Sequence, residues 1–176
     1  MEKTLQDYFC IKTNKEIKFY SSKDAVGLIE AANLYIEKKN GKKLEFSVPE
    51  LEEFIYECME LYYENGVSNI LINKLNEHLK NVNIQCLVEN IENKLSAIHL
   101  AHIPFNPHPL IFGAYMFSHV TSLGGFEGLK RCQNTDCHKF FLGRPNSKWC
   151  TNSCGSKYRV NKMRQNKKAS LSKQFL

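Results

Sequence analysis

Four of the chain's seven cysteines, Cys132, Cys137, Cys150 and Cys154, are spaced C-x4-C-x12-C-x3-C. Each close pair delivers two sulfurs to one ion, and the dozen residues between the pairs let the second fold back on the first, which is what a tetrahedral thiolate site demands. An odd total of cysteines argues against a disulfide framework. The opening "MEKTLQDYFC" lacks the basic and apolar regions of a signal peptide, so the expected compartment is the reducing cytoplasm, where disulfides are rare. These spacings therefore favour one structural Zn2+ per chain over an iron–sulfur cluster or a disulfide pair. His138, beside Cys137, is a further candidate donor, but four thiolates already complete the shell and leave no position for water or substrate.

The residues between the pairs must position them. "KFFLGRPNSKW" (139–149) reads as a strand, a turn over Gly143–Asn146 and a second short strand ending at Trp149, a hairpin that would bring the second pair opposite the first. Phe140, Phe141, Leu142 and Trp149 offer only a miniature core. Zinc, which contributes on the order of 10–16 kcal/mol to such modules, is expected to hold it together. Past Cys154 the sequence reads as a helix capped by Ser153 or Thr151, with Lys157, Asn161, Arg164 and Lys168 on one face and Val160 and Met163 packing back on the hairpin.

Charge follows this division. Residues 128–176 carry 12 Lys and Arg against the single acid Asp136, a balance of +11, whereas residues 1–127 carry 12 against 17, a balance of −5. A basic helix aimed by a metal suits a polyanion. Lys148, Lys157, Arg159, Lys162, Arg164, Lys167 and Lys168 are expected to meet phosphates, and Tyr158 and Asn161 to meet base edges or sugar.

Ahead of the cysteines the pattern is mainly helical. "EIKFY" (16–20) is a candidate strand. Ser21 or Ser22 caps a helix whose stripe is Ala25, Leu28, Ile29, Ala32 and Ile36, stopped at Gly41. A second helix opens on the capping-box spacing Ser47–Glu50 with Pro49 in its first turn, turns Leu51, Phe54, Ile55, Cys58, Leu61 and Tyr62 inward, and stops at Asn65-Gly66. A third, about 68–80, presents Leu71, Ile72, Leu75 and Leu79. "VNIQCLV" (82–88) and "KLSAIHL" (94–100) read as a hairpin across a polar turn at 89–93, and the prolines of "HIPFNPHP" break the chain. "LIFGAYMFSHVTSL" (110–123) is apolar on most sides and is expected at the centre of the core, ending at Gly124-Gly125. A ligand pocket lined by Phe112, Tyr115 and Phe117 is the alternative to plain core there. Cys58 and Cys86 read as small buried hydrophobes. His99 and His102, with His108 and His119 nearby, would make a second metal site only on a helix, which the prolines oppose. Mean hydropathy of −0.40 and the lack of a long uncharged apolar run argue against a membrane protein.

The cysteine segment resembles the CGNR zinc finger of bacteria: "CQNTDC", "FFLGRPNSKWC" and "CGSKYRV" follow its two cysteine pairs, its strands and its C-G-N-R helix start, with Ser156 and Lys157 where the family has Asn and Arg. Such fingers sit behind a mainly helical domain called ABATE, and residues 68–131 resemble the second half of that layout. The resemblance implies a mainly α fold with a small β-hairpin and a C-terminal treble-clef-like finger of hairpin plus basic helix. It divides the chain into an ABATE-like domain (1–127), a CGNR-like finger (128–170) and a frayed tail (171–176). It implies a zinc-dependent DNA-binding transcription regulator; the closed metal shell and a basic helix without a carboxylate lead to the expectation of no enzyme, and the start of the sequence and its hydropathy to that of a cytoplasmic protein without a membrane partner. A homodimer and a small-molecule or protein signal at the N-terminal domain are the other expected partners. An RNA-binding or protein-interaction module is the alternative function.

Overall fold

The computed structural model describes residues 22–43, 47–80, 82–91, 94–102 and 108–172, with side chains described for 24–43, 47–80, 82 and 108–166, so the side chain of the expected cap Ser22 lies outside them. The candidate strand at 16–20, Ser21 and Cys10 lie outside these residues, as does the side chain of Cys86. The fold is mainly helical.

Helix α1 (Ser22–Lys39) buries the expected stripe of Ala25, Leu28, Ile29, Ala32 and Ile36, and Gly41 closes it at φ 83°. Helix α2 (Pro49–Asn65) lies against it and stops at Gly66, whose N–H donates to the Tyr62 carbonyl at 2.8 Å and whose positive φ of 62° then turns the chain out of the helix. The capping box does not form. Val48 is the N-cap without a side-chain cap bond, and the fully buried Glu52 takes over by accepting the Val48 N–H at 3.2 Å while pairing with Lys38 of α1. A buried carboxylate needs a cation and donors, and only a residue on the helix–helix seam finds both. Cys58 of α2 is fully buried, and burial pushes its thiol up to about 12, so it behaves as a hydrophobe.

Helix α3 (Asn69–Leu79) is capped by Ser68, whose Oγ accepts the Leu71 N–H at 3.3 Å. Leu71 and Leu75 face the core, but Ile72 points outward at 39% exposure, one position off the buried row. Strands β1 (Asn83–Ile91) and β2 (Lys94–His102) form an antiparallel hairpin with Asn83 opposite His102 and Ile91 opposite Lys94. Ladder pairing thus extends through residues 89–91, which the sequence suggested as part of a turn at 89–93. His99 and His102 sit on strand β2 and not on a helix.

Helix α4 (Pro109–Ser122) is central, as its composition predicts: Phe112, Ala114, Met116, Phe117 and Val120 are buried against the other helices. Phe112 and Phe117 are buried in the core, with Phe117 packed on Phe126 at a ring separation of 5.0 Å. Gly113 marks a close approach of α4 to α2, since a Cβ there would lie 2.6 Å from the end of the Leu51 side chain. Gly124 and Gly125 end the helix and turn the chain toward strands β3 (Leu129–Arg131) and β4 (Phe140–Leu142) and helix α5 (Asn152–Ser172). Among the described residues no helix is long and apolar enough to cross a membrane.

Candidate metal centre and basic helix

The hairpin of the cysteine segment is not the one expected across the Gly143–Asn146 turn. β4 pairs antiparallel with β3, Leu129 opposite Leu142 and Arg131 opposite Phe140, whereas residues 143–149 form no strand. Two bonds extend the ladder on either side: the Gly143 N–H donates to the Gly128 carbonyl at 3.0 Å, and the Cys132 N–H donates to the Lys139 carbonyl at 2.8 Å. The first cysteine pair therefore occupies the hairpin's own turn. Pro145 lacks a ladder donor. The Lys148 carbonyl accepts the Gln133 N–H at 3.0 Å, and Lys130 donates through Nζ to the carbonyls of Pro145 and Ser147. The 143–150 loop is thus pinned across the hairpin rather than paired along it.

Within the turn, the Asn134 carbonyl accepts the N–H groups of Cys137 at 2.9 Å and His138 at 3.3 Å. His138 is held at φ 52°, a left-handed conformation seldom adopted outside glycine, and it remains exposed and outside the sulfur cluster. The second pair is set by the start of α5, where the Thr151 hydroxyl accepts the Cys154 N–H at 3.2 Å and acts as the cap. All four sulfurs lie within 4.8 Å of one another, with Cys150 at 3.6 Å from both Cys137 and Cys154.

That geometry suits zinc, since the ~2.3 Å Zn–S bonds of a tetrahedral site put sulfurs about 3.8 Å apart. Burial pushes the Cys137 and Cys150 thiols up, while burial of Cys154 is outweighed by contacts from Thr151, Cys150, Cys137 and the buried Asn134 that hold it at about 7. Thiols this close cannot all ionise unless a cation lies among them. The four cysteines form the site of one structural zinc, whose role is to hold hairpin, loop and helix start together.

The aromatic residues do not form the miniature core expected of them. Phe140 leaves the finger for the main core: it is 1% exposed and packs near Tyr56 and Tyr63 of α2. Asn33 of α1 clamps its backbone, donating through Nδ2 to the Phe140 carbonyl at 2.9 Å and accepting the Phe140 N–H at 2.8 Å. Ion pairs flank this seam, Lys139 with Glu37 and Arg131 with Glu60 at 2.6 Å. Nothing in the local sequence reveals Asn33 as an anchor, because its partner lies 107 residues away.

Trp149 instead packs under α5, 6.0 Å from the Tyr158 ring and beneath the Arg159 guanidinium at 5.6 Å. Gly155 makes room, since a Cβ there would meet the indole at 3.0 and 3.2 Å. Helix propensity alone predicts that Gly155→Leu stabilises α5 by about 1 kcal/mol. Overpacking against Trp149 is expected to reverse the sign, with a net loss of about 1–3 kcal/mol in thermal unfolding of the zinc-loaded protein.

The residues assigned to nucleic acid separate into two groups. Lys148, Lys157, Arg159, Lys162 and Arg164 are exposed. Tyr158 and Asn161 are half-buried, Tyr158 on Trp149 and Asn161 with its Nδ2 3.5 Å from Asp136. Lys167 and Lys168 continue α5, and their side chains lie outside the described residues. Val160 and Met163 do not pack back on the hairpin: they are 45% and 62% exposed. α5 meets the finger through Cys154, Gly155, Tyr158 and Asn161, which puts both apolar residues on the opposite side.

A knuckle in a hairpin turn, joined by metal to the first turn of a helix, defines a structural zinc finger. Residues 129–167 match the model of the CGNR zinc finger family. The match starts at Leu129, the first residue of β3, so it takes in the strand that the sequence reading overlooked. No curated protein matches the chain.

Proposed function

We propose that the chain binds duplex DNA through α5 and serves as a cytoplasmic transcription regulator without enzymatic activity. One observation carries the reading: α5 contains Lys157, Arg159, Lys162, Arg164, Lys167 and Lys168 and no acidic residue, and the zinc site fixes its first turn. At about 1.5 Å per residue the helix extends some 30 Å, enough to follow a groove well beyond the finger. Lys148, on the loop next to the second cysteine pair, adds a phosphate contact at the base of the helix. The helical part, ABATE-like in this reading, carries the signal or partner site and the dimer contact, and its acidic balance keeps it off the same polyanion.

The test is salt dependence. Contacts to about six phosphates predict a log–log slope of affinity against salt near −5 for a duplex. Weak binding that is indifferent to salt would end the reading. Competition between duplex and structured RNA, using the full zinc-loaded chain, decides which polymer is preferred. Sustained plasmid nicking with magnesium or manganese would overturn the non-enzymatic assignment.

A further inference from the structure

Two aliphatic side chains stand exposed in the middle of the basic helix. Successive residues of an α-helix turn by about 100°. Cys154, Gly155, Tyr158 and Asn161 mark the face turned to the finger, so Ser156, Val160 and Met163 form the row on the far side. Val160 is 45% and Met163 62% exposed, and both belong to residue types that ordinarily find cover. Lys157 and Arg164 run along one edge of this row and Arg159 along the other, all exposed. The surface is a short apolar ridge between Lys157 and Arg164 on one edge and Arg159, which reaches over the Trp149 ring, on the other.

We infer that this ridge reads thymine methyl groups in the major groove, giving the finger a preference for sites that present them. The inference rests on the proposal that α5 binds duplex DNA, and it adds the chemistry of the bases preferred. A helix with its side chains is about 10–12 Å across and the major groove about 12 Å wide, so cations on both edges of α5 meet the two phosphate walls while the ridge faces the floor. Among base edges on that floor, the thymine C5-methyl is the apolar one, and aliphatic side chains are its natural contacts. Charge complementarity selects this occupant. A ridge flanked on both edges by cations is a poor seat for an apolar protein surface, and two aliphatic residues are too few to anchor a helix in a membrane. Val160 and Met163 would thus supply base discrimination, whereas Tyr158 and Asn161 are engaged by Trp149 and Asp136.

The experiment compares two duplexes with the full zinc-loaded chain: one recovered by selection from a random pool, and the same sequence with deoxyuridine for thymidine, which removes the methyls and keeps every hydrogen-bonding group. Each methyl in contact should be worth about fourfold in affinity. Val160→Ser with Met163→Gln should abolish the discrimination while leaving the salt slope unchanged. Both positions are exposed, so the fold should survive, and the wild-type comparison is decisive by itself. Equal wild-type affinity for the two duplexes, with a steep salt slope, would overturn the methyl reading, assign the ridge to another protein chain and leave DNA binding intact. Salt-indifferent binding to both duplexes would remove DNA binding itself.

Discussion

Chelation at neutral pH is expected to release one zinc per chain and, at the same end point, to abolish the helicity of α5. The reason is what α5 has to lean on. Its finger-facing side is limited to Cys154, Gly155, Tyr158 and Asn161, and its other residues from 156 to 166 are exposed. A lone helix of this length is marginal in water, and clustered like charges weaken it further. The metal contributes on the order of 10–16 kcal/mol in comparable modules, far more than a Trp149–Tyr158 contact supplies. Cys150→Ser should behave like the chelated protein, because Cys150 is the sulfur that touches both Cys137 and Cys154. Because thiolate ligands must shed their protons, zinc affinity should fall steadily as pH is lowered through the neutral range. Metal quantification beside far-UV circular dichroism checks all of this. A metal-free preparation that keeps the full helical signal would refute it.

Phe140→Ala is expected to cost about 3–5 kcal/mol, a large share of the roughly 5–15 kcal/mol that holds an ordinary domain. Its position in the finger would suggest a smaller, local effect. Its ring, however, is buried in the core near Tyr56 and Tyr63, and its backbone is clamped on both sides by Asn33. The substitution therefore opens a cavity in the wall of the helical core. Phe141→Ala, at the neighbouring half-buried position, should cost distinctly less. Denaturant midpoints of the two zinc-loaded variants make the comparison. Equal and small losses would show that the finger does not share the core.

The core helices were legible because their periods are long and their stops are chemical. The α1 stripe, the Gly66 and Gly124-Gly125 stops and the central placement of α4 all follow from residue spacing. The four metal ligands were legible for a similar reason: paired thiols at short spacing have few uses in a reducing compartment. Three other expectations failed on competition between neighbours. Ser47 lost the cap of α2 to Glu52, since the buried seam offers Lys38 as well. The stretch before Trp149 lost strand pairing to β3, whose ladder runs straight into the knuckle. Val160 and Met163 lost their place against the hairpin because Gly155 and Trp149 already occupy that side of α5.

By itself, the amino-acid order determined the zinc ligands, the helices and the concentration of positive charge at one end, since each depends on residues close together in the chain. Only the tertiary structure decided that β3 is the partner of β4, that Phe140 belongs to the helical core, and which side of α5 faces outward. Those outcomes depend on contacts such as Asn33 with Phe140, made across more than a hundred residues. No local spacing encodes which distant backbone a polar side chain will find once the core closes around it.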